Sequence, residues 1–199
     1  YSNLEKYRYK LFEINSEIDR ESECLADIAA EKARMKAELQ RLLGFPEKPD
    51  VPLIAFVSRL TDRKKLDILT LAAEEMLKED VQFAFLGKGD AYFEKFFQNL
   101  SARYPQKAKA VITLDLSLAR RICAGADMYL IPGSGICGEA RSAASKYGTV
   151  PIMHDDSRQM NTEIGFAFSP YSVWNLLRTI KRALATYQNK EAWNALVKK

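Results

Sequence analysis

Histidine is almost missing from this sequence, and its absence removes whole classes of chemistry. His154 is the single imidazole in 199 residues, so a Ser-His-Asp triad or a histidine-based metal site has almost no material to work with. A lone histidine just after Pro151-Ile152-Met153 reads as a surface loop residue, not a catalyst. Cysteine is also scarce. Cys24, Cys123 and Cys137 are odd in number, far apart and in no metal-ligand spacing, which favours free thiols in a reducing compartment. No metal and no cofactor is expected. No apolar run approaches the ~20 residues of a transmembrane helix, and no signal peptide opens the chain, so neither membrane insertion nor secretion is expected. The chain starts at Tyr1, as a fragment of a longer protein would. It has no internal repeat, no low-complexity segment and no dense basic stripe with interleaved aromatics, which argues against nucleic acid as a partner.

Glycine and proline are absent from residues 1–43. That stretch is rich in Glu, Lys, Ala and Leu. Positions spaced four and three apart run Leu4, Tyr7, Leu11, Ile14, Ile18, Glu21, Leu25, Ile28, Lys32, Met35, Leu39, Leu42, a seam of apolar residues broken only at Glu21 and Lys32. Such a seam fits a coiled-coil arm that pairs with a second copy or a partner protein. It also fits amphipathic helices packed on their own domain, because the heptad and 3.6-residue periods diverge slowly. Gly44, Pro46 and Pro49 end the helix, so residues 44–50 read as a linker. Charge follows the same division: the first fifty residues carry nine Lys/Arg against eleven Asp/Glu, and the rest carry 21 against 15. A mildly basic globule of this kind suits a phosphorylated small molecule.

From Val51 onward the pattern alternates. Pro52–Ser58, Val81–Gly87, Lys109–Leu114 and Gly165–Ser169 read as strands, and Leu66–Leu77, Tyr92–Tyr104 and Leu116–Gly125 as helices. Two terminal helices follow, over Ser172–Tyr187 and Glu191–Lys198. Strands alternating with helices of this length predict an α/β fold, a Rossmann-like parallel sheet with helices on both faces, preceded by a long helical arm. Residues 51–199 form that domain. The aromatic face of 92–104 and Cys123 on an apolar helix face read as core. Packing is likewise the expectation for Trp174 and Trp193.

The stretch from Asp127 to Ile152 organises the rest. Asp127–Ile131 is a buried strand, Pro132-Gly133-Ser134-Gly135 a break, Cys137–Tyr147 a helix rich in small residues, and Gly148 its end before a second strand. In a parallel sheet this loop lies at a strand's carboxyl end, with a helix N-terminus suited to phosphate. Two further loops fall on the same edge. Ser58–Lys65 carries Arg59 and Lys64, which can converge on a diphosphate. Gly87-Lys88-Gly89-Asp90 is a tight turn into a helix capped by Asp90.

These pieces resemble a known family. KAELQRLLGFP, DVPLIAFVSRLTDRKKLDIL, VQFAFLGKGD, ARRICAGADMYLIP, the Cys137-Gly138 pair followed by KYGTVPI, and GFAFSPYS are similar, in order and nearly in spacing, to the C-terminal nucleotide-sugar-binding domain of glycogen and starch synthases, glycosyltransferase family five. The resemblance runs from about Ala33 to the end. It implies half of a GT-B fold, the half that holds ADP-glucose or UDP-glucose, in the cytoplasm or the plastid stroma. By position, Arg59 and Lys64 match the family's contacts to the sugar-nucleotide phosphates, and Cys137 and Gly138 match its Cys-Gly at the helix N-terminus.

The departures bear on activity. The family's loop reads Pro-Ser-x-Phe-Glu-Pro-Cys-Gly-Leu, whereas this chain has Pro132-Gly133-Ser134-Gly135-Ile136-Cys137-Gly138-Glu139, one residue shorter and without the glutamate that faces the donor sugar. Glu139 brings a carboxylate close by, at a helix N-terminus, where it would repel a phosphate rather than serve the sugar. Leu114 stands where the family places an aromatic under adenine. The segment His154–Thr162 is short and polar where the family has Thr-Gly-Gly-Leu. An upstream Rossmann domain, which in the family carries the acceptor site for α-glucan, is not in these residues. The expectation is therefore a domain that binds or once bound the donor, inactive as this chain, and acting in glucan synthesis as a scaffold or regulator, with no catalytic residue assigned. An active retaining transferase completed by an upstream domain, and a non-binding structural module, are the alternatives.

Overall fold

The computed structural model describes residues 25–61, 65–133, 147–155 and 165–197. The chain begins with helix α1 (Leu25–Leu43). There follow β1 (Leu53–Val57), α2 (Asp67–Met76), β2 (Gln82–Leu86), α3 (Ala91–Arg103), β3 (Ala108–Val111), α4 (Leu116–Gly125), β4 (Met128–Ile131), β5 (Val150–His154), β6 (Phe166–Phe168), α5 (Val173–Gln188) and α6 (Lys190–Val197). The helix expected over residues 137–147 and the first half of the heptad seam lie outside the described residues, apart from Tyr147, which is helical.

All strand pairs are parallel. They form one sheet in the order β3-β2-β1-β4-β5-β6, the doubly wound order of dinucleotide-binding folds. Side-chain alternation divides the core. Ile54, Phe56, Phe83 and Phe85 face α2, α3, α5 and α6. Leu53, Ala55, Ala84 and Leu86 face Leu39 of α1 and Ala119 and Ile122 of α4. The first face is filled by rings, as in the stacked pair Phe85–Phe97 with centroids 4.6 Å apart. The second is lined by small residues, because there a helix sits close to the sheet and to its neighbour. A Cβ on Gly125 would lie 2.8 Å from both Met35 O and Leu39 Cβ. Gly125 thus ends α4 and also admits α1. Gly44 (φ +69°) and Gly148 (φ +63°) follow helical residues in the left-handed region that glycine adopts without cost.

In its described part, Leu25–Leu43, α1 packs on its own domain. Three polar side chains, each four residues apart, fasten it to the amino ends of the strands. Lys32 donates to Ala124 O and Thr149 Oγ1, both at 2.8 Å. Lys36 pairs with Asp127 at 2.7 Å and donates to Pro49 O and the Tyr187 hydroxyl. Gln40 donates to Gln82 Oε1 at 2.7 Å and to Lys48 O at 3.1 Å. Asp127 Oδ2 also accepts from Leu53 N–H at 2.7 Å, so one carboxylate joins the starts of β1 and β4 to α1. The two lysines respond to burial: Lys32 is lowered to about 8, chiefly by desolvation, and Lys36 is lowered for the same reason. Lys32, a break in the heptad reading, is therefore a half-buried anchor. Residues 44–50 are packed as well: Phe45 is buried, and Pro46, Lys48 and Pro49 lend their carbonyls to Gln82, Gln40 and Lys36.

Candidate functional site

Strand order reverses between β1 and β4, and in an open α/β sheet such a switch point, outside the carboxyl ends of the strands, is where ligands bind. Tyr129 of β4 ties the two strands together there, donating its hydroxyl to Val57 O at 2.7 Å. The loop after β1 begins with Ser58, whose N–H bonds Leu86 O at 3.0 Å. Leu60 is buried, donates to Lys88 O and forms a parallel bridge with Gly89. Between these two fixed residues, Arg59 stands exposed at the edge.

The Gly87-Lys88-Gly89 turn exists for that loop. A Cβ on Gly87 would lie 2.1 Å from Ser58 O, and one on Gly89 2.2 Å from Leu60 O. Its amides are already used: Gly87 N–H bonds Val111 O, Gly89 N–H bonds Glu94 Oε1 at 2.8 Å, and Asp90 N–H bonds Leu60 O. The turn supports the Arg59 loop and has no spare donors at these three positions for an anion. Asp90 occupies the expected cap position of α3, but its side chain makes no capping bond.

The exit of the same loop is held by a residue that follows β6. Lys65 has φ +53°, the one non-glycine in the left-handed region among the described residues. The hydroxyl of Tyr171 bonds both Lys65 O at 2.8 Å and Asp67 Oδ1 at 2.9 Å. The Lys65 ammonium lies 4.6 Å from the centre of the Tyr171 ring, a cation–π distance. Burial, with the Asp67 carboxylate second, pushes the Tyr171 phenol well above its usual range. Tyr171 also meets His154 edge-on, centroids 5.1 Å apart. His154 corrects an expectation: it is the last residue of β5, buried against Phe168, not a surface loop residue. Trp174 corrects another: it is 70% exposed on the first turn of α5, whereas Trp193 packs on Tyr187 as expected.

Of the residues expected to bind phosphate, Arg59 is exposed at the carboxyl edge, two residues past β1. Lys64, Cys137, Gly138 and Glu139 lie outside the described residues. Leu114 is exposed just past β3. No cluster of three metal-binding side chains occurs among the described residues, and no helix there is long and apolar enough to cross a membrane. The sequence reading left Tyr171, Lys65 and Tyr129 without a role. The first lies inside the GFAFSPYS stretch that carried the family resemblance, and that was its available signal.

No protein-family model matches the chain. Curated relatives do. The glycogen synthase of Bacillus cereus (strain ATCC 10987 / NRS 248) is 38% identical over 184 residues, covering 87% of this chain and 39% of that protein. The glycogen synthase of Geobacillus stearothermophilus is 41% identical over 175 residues, covering 82% and 36%. The chain thus spans about two fifths of the length of these relatives. Among solved structures, the catalytic domain of starch synthase IV from Arabidopsis thaliana, bound to ADP and acarbose, superposes with a TM-score of 0.76 at 21% identity, over 95% of this chain and 42% of that one. HepE of Anabaena, in complex with UDP and glucose, does so with a TM-score of 0.59 at 16% identity, over 82% and 46%. The chain is thus similar in sequence to glycogen synthases over most of its length and shares its fold with the starch synthase IV catalytic domain, which supports a C-terminal domain of the GT-B glycogen and starch synthase kind.

Proposed function

We propose that this chain is a donor-binding module of glucan synthesis, which holds ADP-glucose or UDP-glucose by its phosphates at the crevice between β1 and β4 and does not itself transfer the glucose. Arg59 would supply a bidentate fork and Lys64 a point charge to the diphosphate. Cys137 and Gly138 would present the N-terminus of the following helix, with Glu139 beside them. The observation that carries the reading is Arg59, exposed at the topological switch point between two residues whose backbone is fixed. Two solved neighbours described with ADP and acarbose, and with UDP and glucose, support the ligand class.

Lack of transfer follows from the sequence of the β4 loop, which has no glutamate before Cys137. A carboxylate there would face the donor sugar, and Glu139 at a helix N-terminus is poorly placed to replace it. In this reading the chain acts as a scaffold or regulator. α-Glucan is engaged only together with an upstream domain, and residues 1–24 are the segment left to pair with a second copy or a partner. The retained Arg59 favours a second reading, an active retaining transferase completed by such a domain. Incubation with ADP-glucose and glycogen separates the two. The proposal expects donor binding by calorimetry without sustained ADP release. Catalytic ADP release would overturn it.

A further inference from the structure

We infer that Tyr171 is a positioning residue for the sugar-nucleotide site: it fixes the exit of the β1–α2 loop so that Arg59 is presented to the phosphates. The inference rests on the donor-binding reading above. The loop has two anchored ends. Its entry is held at Ser58 and Leu60 by backbone bonds to β2 and the following turn, an approach that only glycine at positions 87 and 89 allows. Its exit is held by one side chain from a distant part of the chain. Tyr171 bonds the carbonyl of Lys65 and the carboxylate of Asp67, and its ring carries the Lys65 ammonium.

Lys65 sits in a left-handed conformation that a non-glycine residue keeps only where its surroundings impose it. Leu66, the next residue, is fully buried in the core and α2 begins at Asp67, so Lys65 stands where the loop enters the domain. Tyr171 is itself braced by the buried His154 ring at the end of β5. Tyr171 therefore links the end of β5, through its ring, to the exit of the loop leaving β1, through its hydroxyl.

Tyr171→Phe tests this, since it removes the hydroxyl and keeps the ring. Three readouts are needed: hydrogen exchange at the Lys65, Leu66 and Asp67 amides, affinity for ADP-glucose by calorimetry, and the same affinity in Arg59→Ala and the double variant. The expected result is faster exchange at the loop exit and ADP-glucose binding weakened roughly three- to tenfold. The loss should be smaller when Arg59 is already alanine, because the two act through one loop. A side chain that only supports the fold would give additive losses. Unchanged exchange overturns the inference whatever the ligand does. Faster exchange with unchanged affinity, while Arg59→Ala still weakens binding, also overturns it and leaves the donor-binding reading standing. If Arg59→Ala has no effect, or the wild-type chain does not bind ADP-glucose, the donor-binding reading fails and takes this inference with it.

Discussion

Removing the carboxylate of Asp127 would strand the Lys36 ammonium inside the protein and leave Leu53 N–H without its acceptor. Breaking one partner of a buried ion pair costs about 3–5 kcal/mol, so Asp127→Ala should lose stability on that scale in urea unfolding. Lys32 gives a prediction of a different sign. Its folded pKa of about 8 lies below the ordinary 10.5, so between those values the unfolded chain holds the proton that the folded chain has released. Stability from this group therefore rises as pH climbs from 8 to 10.5. The neutral amine keeps two N–H donors for its two acceptors, Ala124 O and Thr149 Oγ1. Cys123, raised to about 12 by burial, works in the opposite direction over an overlapping range, so the measurement must be a comparison. The stability difference between wild type and Lys32→Met should move in favour of wild type between pH 7.5 and pH 10. None of these pairings was legible in the sequence. Lys32, Lys36 and Gln40 share a helix face at visible spacing, but nothing local marks them as tied into the domain rather than solvated. Their partners at Thr149, Asp127 and Gln82 become neighbours only when the strands pair. His154 and Trp174 were misread for the same reason: whether a ring is covered depends on which distant element lands on it.

At the scale of elements the sequence was far more informative. Strands of five apolar residues and helices of ten or more carry their own periodicity, and Leu66–Leu77, Val81–Gly87 and Leu116–Gly125 stand in the structure within a residue or two of their expected bounds. What periodicity did not convey was how α1 is used. Its seam suits a partner helix, but Met35 and Leu39 meet Gly125 of α4 in the same chain. Gly125→Ala should push these helices apart and cost roughly 1–3 kcal/mol, as overpacking does; a loss below about 0.5 kcal/mol would mean that the crossing yields easily. Truncation separates the two halves of the arm. Deleting residues 1–43 should unfold the domain, since Asp127, Gln82 and the Leu39 pocket lose their partners together. Deleting residues 1–24 should leave the circular dichroism of the domain intact, and any change in solution size would then belong to that segment.

For the whole molecule, the doubly wound order places one topological switch point at the carboxyl edge, and the alternation of strands and helices was enough to foresee the parallel sheet. The candidate site was legible as far as Arg59, because position after a strand in a parallel sheet specifies an edge. The support beneath it was not. Gly87 and Gly89 read in sequence as a tight turn into a helix and serve as a close-packed brace for the neighbouring loop in the structure, while Tyr171 reaches Lys65 across 106 residues. The central claim is that this switch point still binds a sugar nucleotide through charge. The most direct test is calorimetric titration with ADP-glucose, UDP-glucose, ADP and UDP, beside the Arg59→Ala, Lys64→Ala double variant. Charge-assisted phosphate contacts contribute about 1.5–3 kcal/mol each, so the account predicts saturable binding by wild type, weakened tenfold or more in the variant. No binding at millimolar ligand, or equal affinity in the two proteins, would contradict it.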